Sequence, residues 1–489
     1  MGPKLFSKKK GETYWSIRAL PIGGFCAMSG EEVGDPIIKN EDEVRIELDE
    51  LGRVKKIITN KDLEEYKDLE IIKVEKVDLF GKDMVPLYIN DYEVNRDCLI
   101  VLSKKEEVQI APEERNYFSK SVWQRFLVCF GGPLNNILLA LVVFLLLAFI
   151  EGVPNTKSNK IGEVSKGSPA YISGLEKNDE IIRIGDYEIS SFEDISEALS
   201  NQEKRDFEIT VNRKGETKTL NCFLQYYLQN LGFSSSMNQE NKEKLIITCE
   251  TDAALGGTNK TKAYQEGGLR NGDEIVAIRY GTVIDENVYS DYIDVSSWTQ
   301  LFEIANIVDG EYVQVKYIRD GDVKESTPFS TYSKKLLSSQ GYEPALKQIG
   351  ISSSTKIKFF PCLLNGFRYL WSCATIIFST LGLLFTSKEV GIKDLGGFIT
   401  ILNQTATYAA GGFTSLLYFI GLLSINLGIM NLLPIPALDG GRIIFLIVEG
   451  ITGKKINPKV ESIIINVVFW LLMAFIIYIL GQDVFRLVI

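Results

Sequence analysis

The hydrophobic residues of this chain are gathered into long blocks, and charged residues are confined to the segments between them. A bilayer-spanning helix needs about 20 apolar residues, and three uncharged blocks meet that length: residues 126–150, 395–438 and 462–482. A fourth block, residues 369–387, is interrupted by polar side chains. The pattern predicts transmembrane helices over residues 118–152, 408–452 and 460–484, and an interfacial helix with its loop over residues 360–398.

Positive charges indicate the orientation of the first predicted span. Lys104, Lys105, Arg115, Lys120 and Arg125 precede it, and lysine and arginine concentrate in cytoplasmic loops. We therefore expect its N-terminal end in the cytoplasm and residues 151–356 outside. A surface-lying helix at 369–387 also leaves the lysine-rich loop at 454–459 inside, as the same rule prefers. The chain is predicted to be a multi-pass α-helical membrane protein with its C-terminus outside.

The segment between the first two spans repeats itself. Gly174-Leu-Glu-Lys-Asn-Asp-Glu-Ile-Ile-Arg-Ile184 matches Gly268-Leu-Arg-Asn-Gly-Asp-Glu-Ile-Val-Ala-Ile278, and each copy continues with a Ser-Ser helix start and a hairpin turn. This succession resembles tandem PDZ domains of bacterial proteases, at residues 158–228 and 243–332. The resemblance implies two extracytoplasmic β-rich domains that capture peptide C-termini by adding a strand to a sheet edge.

The candidate peptide-facing loop of the first copy contains Gly167 and Ser168. The alternative is that both copies are spacers without a peptide ligand. Upstream, residues 41–110 are highly charged and contain short alternating runs such as Val44-Arg-Ile-Glu-Leu48. They predict a small β-rich insertion on the cytoplasmic side, for which a solvated accessory domain is the favoured interpretation.

Composition excludes several function classes. The net charge of −10 argues against general nucleic-acid binding. The seven cysteines form no Cys-x-x-Cys pair, which indicates neither a zinc-thiolate cluster nor a disulfide framework. The first ten residues carry lysines but no apolar run follows them, so we expect neither a signal peptide nor an N-terminal membrane anchor.

The strongest candidate for chemistry is Asn431-Leu-Leu-Pro-Ile-Pro-Ala-Leu-Asp439-Gly-Gly441, at the end of the longest uncharged block. Pro434 and Pro436 break the helical ladder, and broken helix at membrane depth is tolerated where it lines a cavity. An ionisable residue there is expensive and is read as functional by default. Catalytic zinc commonly takes two histidines and one carboxylate, so Asp439 is a candidate zinc ligand.

Asn431 could donate a hydrogen bond to a substrate or to a developing oxyanion. The alternatives are structural: Asp439 as the N-cap of a following helix, and Asn431 as an interhelical hydrogen-bonding residue. The chain contains no histidine. It therefore presents one part of a metal site and lacks the imidazole part.

Four motifs in order resemble the site-2 protease family, the intramembrane zinc metalloproteases, in the bacterial regulator-of-sigma-E protease type. Pro21-Ile-Gly-Gly-Phe25 resembles the start of the family's membrane-associated β-hairpin, assigned to residues 1–40. Gly132-Pro133-Leu134-Asn135 resembles the beginning of its second transmembrane helix. The PDZ pair and the Asn431-to-Gly440 motif follow.

The resemblance implies a zinc endopeptidase of the bacterial inner or plasma membrane. It would perform regulated proteolysis of single-span membrane proteins, such as anti-sigma factors or remnant signal peptides, within the lipid bilayer. Asp439 would be the third zinc ligand, and Asn431 would position the substrate. Substrate binding would fall to Gly23, Gly24, Phe25, Asn135, Pro434 and Pro436.

Two departures from the family pattern stand out. A segment that usually reads Leu-x-Gly-Pro has Phe398 in place of proline. The family's His-Glu-x-x-His helix, which supplies two zinc ligands and the general base, has no counterpart here. We therefore expect this chain to be truncated before its catalytic helix, to be inactive as written and not to bind Zn²⁺ alone.

Two other functions compete with the protease. A non-catalytic, membrane-tethered PDZ scaffold or pseudoprotease agrees with the absence of histidine, but it gives no reason for a carboxylate at membrane depth. A transporter with broken helices predicts inverted repeats among the spans. The only repeat in this sequence lies outside the spans.

Overall fold

The computed structural model describes residues 4–10, 13–18, 38–60, 62–81, 85–103, 106–237, 244–249, 261–281, 289–386, 391, 395–454 and 457–488. The chain divides into two compact units. The first comprises residues 1–132 and 432–470, and the second comprises residues 133–431 and 471–489.

The first unit begins with strands. β1 (Lys4–Lys10) and β2 (Thr13–Arg18) form an antiparallel hairpin. A seven-stranded sheet follows, made of β3 (Glu43–Leu48), β4 (Val54–Ile58), β5 (Ile71–Lys73), β6 (Val77–Asp78), β7 (Tyr88–Ile89), β8 (Tyr92–Ser103) and β9 (Glu106–Gln109). Its order is β5-β3-β4-β8-β7-β6, with β9 paired to β8. The insertion predicted at 41–110 is therefore β-rich, with its own apolar core.

Helix α1 (Val122–Glu151) leads from the first unit into a large β-rich region. Its strands are β10 (Val153–Pro154), β11 (Ile161–Val164), β12 (Glu180–Ile184), β13 (Tyr187–Glu188), β14 (Asp206–Arg213), β15 (Glu216–Phe223), β16 (Gln225–Leu228), β17 (Phe233–Ser235), β18 (Ile247–Thr248), β19 (Glu274–Gly281), β20 (Ile293–Asp294), β21 (Tyr312–Arg319), β22 (Asp322–Glu325), β23 (Phe329–Ser330), β24 (Ala345–Gln348), β25 (Ile351–Ser353) and β26 (Thr355–Lys356). Its helices are α2 (Pro169–Ile172), α3 (Phe192–Asn201), α4 (Lys262–Gln265), α5 (Trp298–Ile307) and α6 (Lys334–Ser339).

The sequence repeat corresponds to a structural repeat. The order β13-β12-β14-β15 in the first copy matches β20-β19-β21-β22 in the second, and a serine caps the helix of each copy. The repeated aspartate is buried in both copies. Asp179 binds Arg213, and Asp273 binds Arg319, each at 2.7 Å. Each pair fixes the Gly-Leu-x-x-x-Asp segment to the end of the first strand of the hairpin that follows, β14 or β21.

The two copies are not formed by two consecutive segments of the chain. β25, which lies beyond the second copy in sequence, pairs with β11 of the first. β24, from the same stretch, pairs with β16. β25 therefore belongs to the first copy although it lies outside the predicted range of 158–228, whereas β24 extends the sheet formed by β16, β17 and β18. A single apolar core runs through both copies.

The remaining elements are helical: α7 (Phe359–Thr386), α8 (Phe398–Ala410), α9 (Phe413–Leu432), α10 (Asp439–Thr452) and α11 (Pro458–Val488). The helix predicted over 408–452 is thus two helices, broken at the two prolines. Within the described residues, four helices are long and apolar enough to cross a membrane: Val122–Glu151, Phe359–Thr386, Phe413–Leu432 and Val460–Phe485. We predicted three spans, and α7 is the additional candidate.

Candidate functional site

The Asn431-to-Gly441 motif forms the end of α9, a tight turn and the start of α10. Within the turn, the Ile435 N–H donates to the Leu433 carbonyl at 2.7 Å, and the Leu438 N–H donates to the Ile435 carbonyl at 3.0 Å. Ala437 has a φ of 93°, which residues other than glycine rarely adopt. Such strain persists only where the surrounding structure enforces it, and it clusters at functional sites.

The two glycines after Asp439 allow the chain to fold back on itself. A Cβ atom on Gly440 would lie 2.3 Å from the Leu433 carbonyl oxygen, and one on Gly441 would lie 2.4 Å from the Ile435 carbonyl oxygen. No side chain fits at either distance, because these contacts are far shorter than van der Waals separation. The glycines therefore fix the direction in which α10 leaves the turn, and with it the position of Asp439.

Asp439 is the first residue of α10 and is half-buried. The helix is capped by Leu438, without a side-chain capping hydrogen bond. The structural alternative, in which Asp439 is only the N-cap, is therefore wrong. Asp439 Oδ2 lies 3.1 Å from the point that a Cβ atom on Gly132 would occupy. Gly132 of α1 thus leaves room for the carboxylate at the point where Pro133 interrupts the helical ladder.

Helix α10 lies antiparallel to the beginning of α1. In addition to the Gly132–Asp439 approach, Arg125 Nη2 donates to Glu449 Oε1 at 2.5 Å, and a Cβ on Gly450 would be 3.7 Å from Val122. The two side chains of the ion pair are 5% and 12% exposed. This buried pair holds α10 against α1 about three turns along α10 from the Asp439 carboxylate.

Asn431 belongs to the second unit, where α9 packs closely on α1. A Cβ atom on Gly428 would lie 3.1 Å from the Pro133 carbonyl oxygen, and Ser424 Oγ donates to the Asn136 carbonyl at 2.8 Å. Asn431 lies three residues beyond Gly428, so it shares the face of α9 that meets α1. Among the described residues the Asn431 side chain has no hydrogen-bond partner. Within that part of the chain, Asn431 therefore makes no hydrogen bond between helices. Its amide can therefore bind another group.

The other predicted site residues are spread over the chain. Asn135 is exposed on α1, Pro434 is exposed and Pro436 is half-buried. Gly23, Gly24 and Phe25 lie outside the described residues. Ser168 is buried: it caps α2 by accepting the Tyr171 N–H and lies against Gly350. Gly167 precedes it with a positive φ.

The described residues include one predicted zinc ligand, Asp439. In that part of the chain no group of three or more histidine, cysteine, aspartate or glutamate side chains is placed to hold a metal. A catalytic zinc site usually has three protein ligands and a water. Asp439 fits one of these positions chemically, and no imidazole is available in the sequence to fit the others. These residues therefore do not form a complete zinc site.

A comparison with known families matches Peptidase family M50 over residues 1–475. The chain belongs to peptidase family M50. Zinc metalloprotease RasP of Oceanobacillus iheyensis is 27% identical over 99% of this chain and 90% of its own length. Zinc metalloprotease RasP of Shouchella clausii is 27% identical over 100% of this chain and 90% of its own length. A protein of Staphylococcus aureus strain MSSA476 is 28% identical over 99% of this chain and 90% of its own length.

The match confirms the resemblance to the site-2 protease family. The chain is a metalloprotease by family, and its apolar helices make it a multi-pass membrane protein. The sequence analysis missed two features of the site: the room that Gly132 leaves for Asp439, and the Arg125–Glu449 pair. The Gly131-Gly132-Pro133 run inside an uncharged helix was the available signal for the first. Nothing local in the sequence signals the second.

Proposed function

We propose that this protein serves peptide-bond hydrolysis in the bacterial cell membrane, as a site-2-type zinc endopeptidase acting on single-span membrane proteins. Anti-sigma factors and remnant signal peptides are the expected substrate classes. The observation that carries the proposal is the half-buried Asp439, placed at the head of α10 by a strained turn and given room by Gly132. A carboxylate kept at membrane depth in this way is costly unless it is used.

Each residue has a role in this proposal. Asp439 would be one zinc ligand, and the bound metal would supply a Lewis acid and an activated water. The Asn431 amide would hydrogen-bond the substrate backbone, because its donors and acceptor have no partner among the described residues. Because the sequence has no histidine, the remaining ligands and the general base would have to come from outside these 489 residues. We propose that the chain alone is inactive.

We also propose that α7 lies along the extracytoplasmic membrane surface. Its first turn meets the C-terminal end of α1, where Phe359 packs on Phe149 at 5.8 Å. Two turns later, a Cβ on Gly366 would be 2.7 Å from Leu145. Its last turns meet the second repeat instead: Leu383 packs with Leu336 and Tyr332.

Both ends of α7 are thus next to extracytoplasmic elements in this topology, and its contacts with α1 stay within the last turns of that helix. Its outer face carries exposed large apolar side chains at helical spacing: Phe360, Leu364, Phe367, Trp371, Phe378 and Phe385. This face is suited to the acyl boundary of the bilayer. The topology keeps three crossings and places both β-rich repeats outside, where they would screen out bulky substrates.

A second candidate function is a membrane-tethered PDZ scaffold that binds substrates without cutting them. The absence of histidine favours it. The two functions differ in their need for metal, because a scaffold has no use for zinc at Asp439.

The deciding experiment measures zinc in the protein purified from the membranes of its own cells. We expect about one zinc per chain in the wild-type protein. The Asp439→Asn variant should lose the zinc, and cells that carry this variant should accumulate an uncut single-span substrate. Asp483→Asn is the matched control, because Asp483 is a buried carboxylate already bonded to Thr400. Wild-type protein without zinc, or equal zinc loss in both variants, would overturn the protease proposal in favour of the scaffold.

A further inference from the structure

The β-rich insertion, residues 41–110, exposes large apolar side chains at one end of its sheet. β4 and β8 are parallel, with Val54 opposite Val94. The β3–β4 turn, β6, β7 and the start of β8 therefore lie at the same end, which we call the basal end. The Asp49 carboxylate joins the turn to β8 by accepting the Asn95 side-chain amide at 3.0 Å. The exposed large apolar side chains at or near this end are Leu48, Leu51, Phe80, Val85 and Tyr88. An exposed apolar patch rimmed by polar residues is typical of a contact surface.

The basal end is fastened to the segment that leads into α1. The Glu113 N–H donates to the Phe80 carbonyl at 2.8 Å. Arg96 of β8 forms an ion pair with Glu114, and Arg115 Nη1 donates to the Arg96 carbonyl at 3.2 Å. Three consecutive residues thus hold the basal end, and they lie only seven to nine residues before the first residue of α1.

The same segment lies beside the first turns of α1, a helix that is long and apolar enough to cross a membrane. The Tyr117 hydroxyl is 3.4 Å from Cys129 Sγ, about two turns into the helix. Trp123, in the first turn, is exposed, and tryptophan is enriched at the membrane–water interface. Glu113 is four residues from Tyr117, which is at most roughly 14 Å of extended chain. The basal end is therefore close to the level at which α1 enters the bilayer.

The distribution of charge in the insertion favours the same orientation. Residues 62–70, which follow the other end of β4, carry five exposed carboxylates and one lysine. At the basal end, by contrast, arginines pair with carboxylates: Arg53 with Asp49, Arg96 with Glu114, and Arg115 with Asp97. The cytoplasmic leaflet has a negative surface potential, so it repels the acidic segment more strongly than the paired end. Electrostatics therefore favours contact between the membrane and the basal end.

We propose that the basal end rests on the lipid surface of the membrane that α1 crosses, with Leu51 and Phe80 in the headgroup layer. Leu51 is 75% exposed and Phe80 is 41% exposed, and the contact removes their apolar surface from water. Glu50, exposed beside Leu51, keeps the turn at headgroup depth, because a carboxylate is costly in the hydrocarbon. A fully solvated insertion, the interpretation favoured from the sequence, would instead keep this end in water. The inference depends on neither zinc nor peptide hydrolysis.

The test measures the depth of nitroxide labels on the full chain in liposomes of phosphatidylethanolamine and phosphatidylglycerol. Each label is attached through p-acetylphenylalanine, which leaves the seven native cysteines unlabelled. The test positions are Leu51 and Phe80. The matched control is Ile71, which is 46% exposed on β5, outside the basal end. Labels at the exposed Glu65 and Trp123 calibrate the readings for water and for the membrane interface.

Collisions of each label with oxygen, which concentrates in lipid, are compared with collisions with a neutral nickel chelate, which stays in water. We expect the oxygen-to-nickel ratio at Leu51 and Phe80 to be about threefold or more above that at Ile71. Ratios equal to that of Ile71 would overturn the proposal. Fewer collisions with both reagents would mean that protein covers this end, and would overturn it as well. The assay needs no zinc, so its failure leaves the zinc measurement, and with it the protease proposal, unaffected.

Discussion

The buried ion pair between Arg125 and Glu449 gives the sharpest prediction about the site, because it joins α1 to α10, the helix that begins with Asp439. Arg125→Met removes the cation but keeps an apolar side chain of similar length. The Glu449 carboxylate, with a side chain only 12% exposed, then stays buried without its partner. Removing one member of a buried pair costs about 3–5 kcal/mol. Arg442 of α10 interacts electrostatically with Tyr117, as Arg125 does, so a second cation lies near the pair. We therefore expect the free energy of unfolding to fall by about 3 kcal/mol, the lower end of this range.

The measurement is the free energy of unfolding of the full chain in mixed detergent micelles titrated with sodium dodecyl sulfate, followed by tryptophan fluorescence. A loss of about 3 kcal/mol is roughly a 150-fold change in the unfolding equilibrium constant. The control is Lys160→Met, which breaks the Lys160–Glu180 pair, whose side chains are 49% and 36% exposed. Exposed pairs contribute about 0–1 kcal/mol, so this variant should be nearly neutral.

The double variant Arg125→Met with Glu449→Met isolates the cause. If the loss comes from an uncompensated buried charge, removing that charge should restore most of the stability, because apolar residues replace buried pairs at little cost. The reasoning is refuted if Arg125→Met is as mild as Lys160→Met. It is also refuted if the double variant is no more stable than the single one, since the Arg125 side chain would then matter for its packing alone.

Gly132→Ala should lower the zinc content of the native protein, because the new Cβ would approach Asp439 Oδ2 to 3.1 Å. The control Gly131→Ala should retain the metal, because a Cβ there has no atom within 4 Å. Equal zinc content in the two variants would contradict the assignment of Asp439 as a zinc ligand. Spin labels at exposed Phe360 and Phe385 on α7 should report similar bilayer depths, whereas a spanning helix would separate them by roughly 37 Å. Hydrogen bonds from Ser190 and Ser191 lower the pKa of Asp194 to about 2. The stability from this capping carboxylate should be fully present above pH about 4 and be lost as pH falls through about 2. In Asp194→Asn the unfolding midpoint should lose this acid dependence, and identical pH profiles for both proteins would exclude the capping role.

Much of this protein could be predicted from its sequence because the signals are local. An uncharged run of about 20 or more apolar residues is typical of a membrane-crossing helix, so residues 126–150 predict most of α1. The Ser-Ser helix starts and the Gly-Leu-x-x-x-Asp repeats act over a few residues, and they predict both β-rich copies. Two prolines followed by Asp439 predict a broken helix with a carboxylate, and α9 and α10 are separated there.

Other features depend on partners that are distant in sequence. Arg125 and Glu449 are 324 residues apart, and no local pattern states that they pair. Chain order suggested two consecutive β-rich domains, but β25 returns from beyond the second copy to pair with β11 of the first. α7 is long and apolar enough to span a bilayer, and no local pattern states that Tyr369 and Cys373 in its middle pack against Tyr418 of α9. Contacts between distant residues must offset the conformational entropy lost on ordering the chain, and they do so only once the chain has folded. The tertiary structure alone therefore decides which segments meet. The sequence by itself determines which segments are apolar, capped or broken.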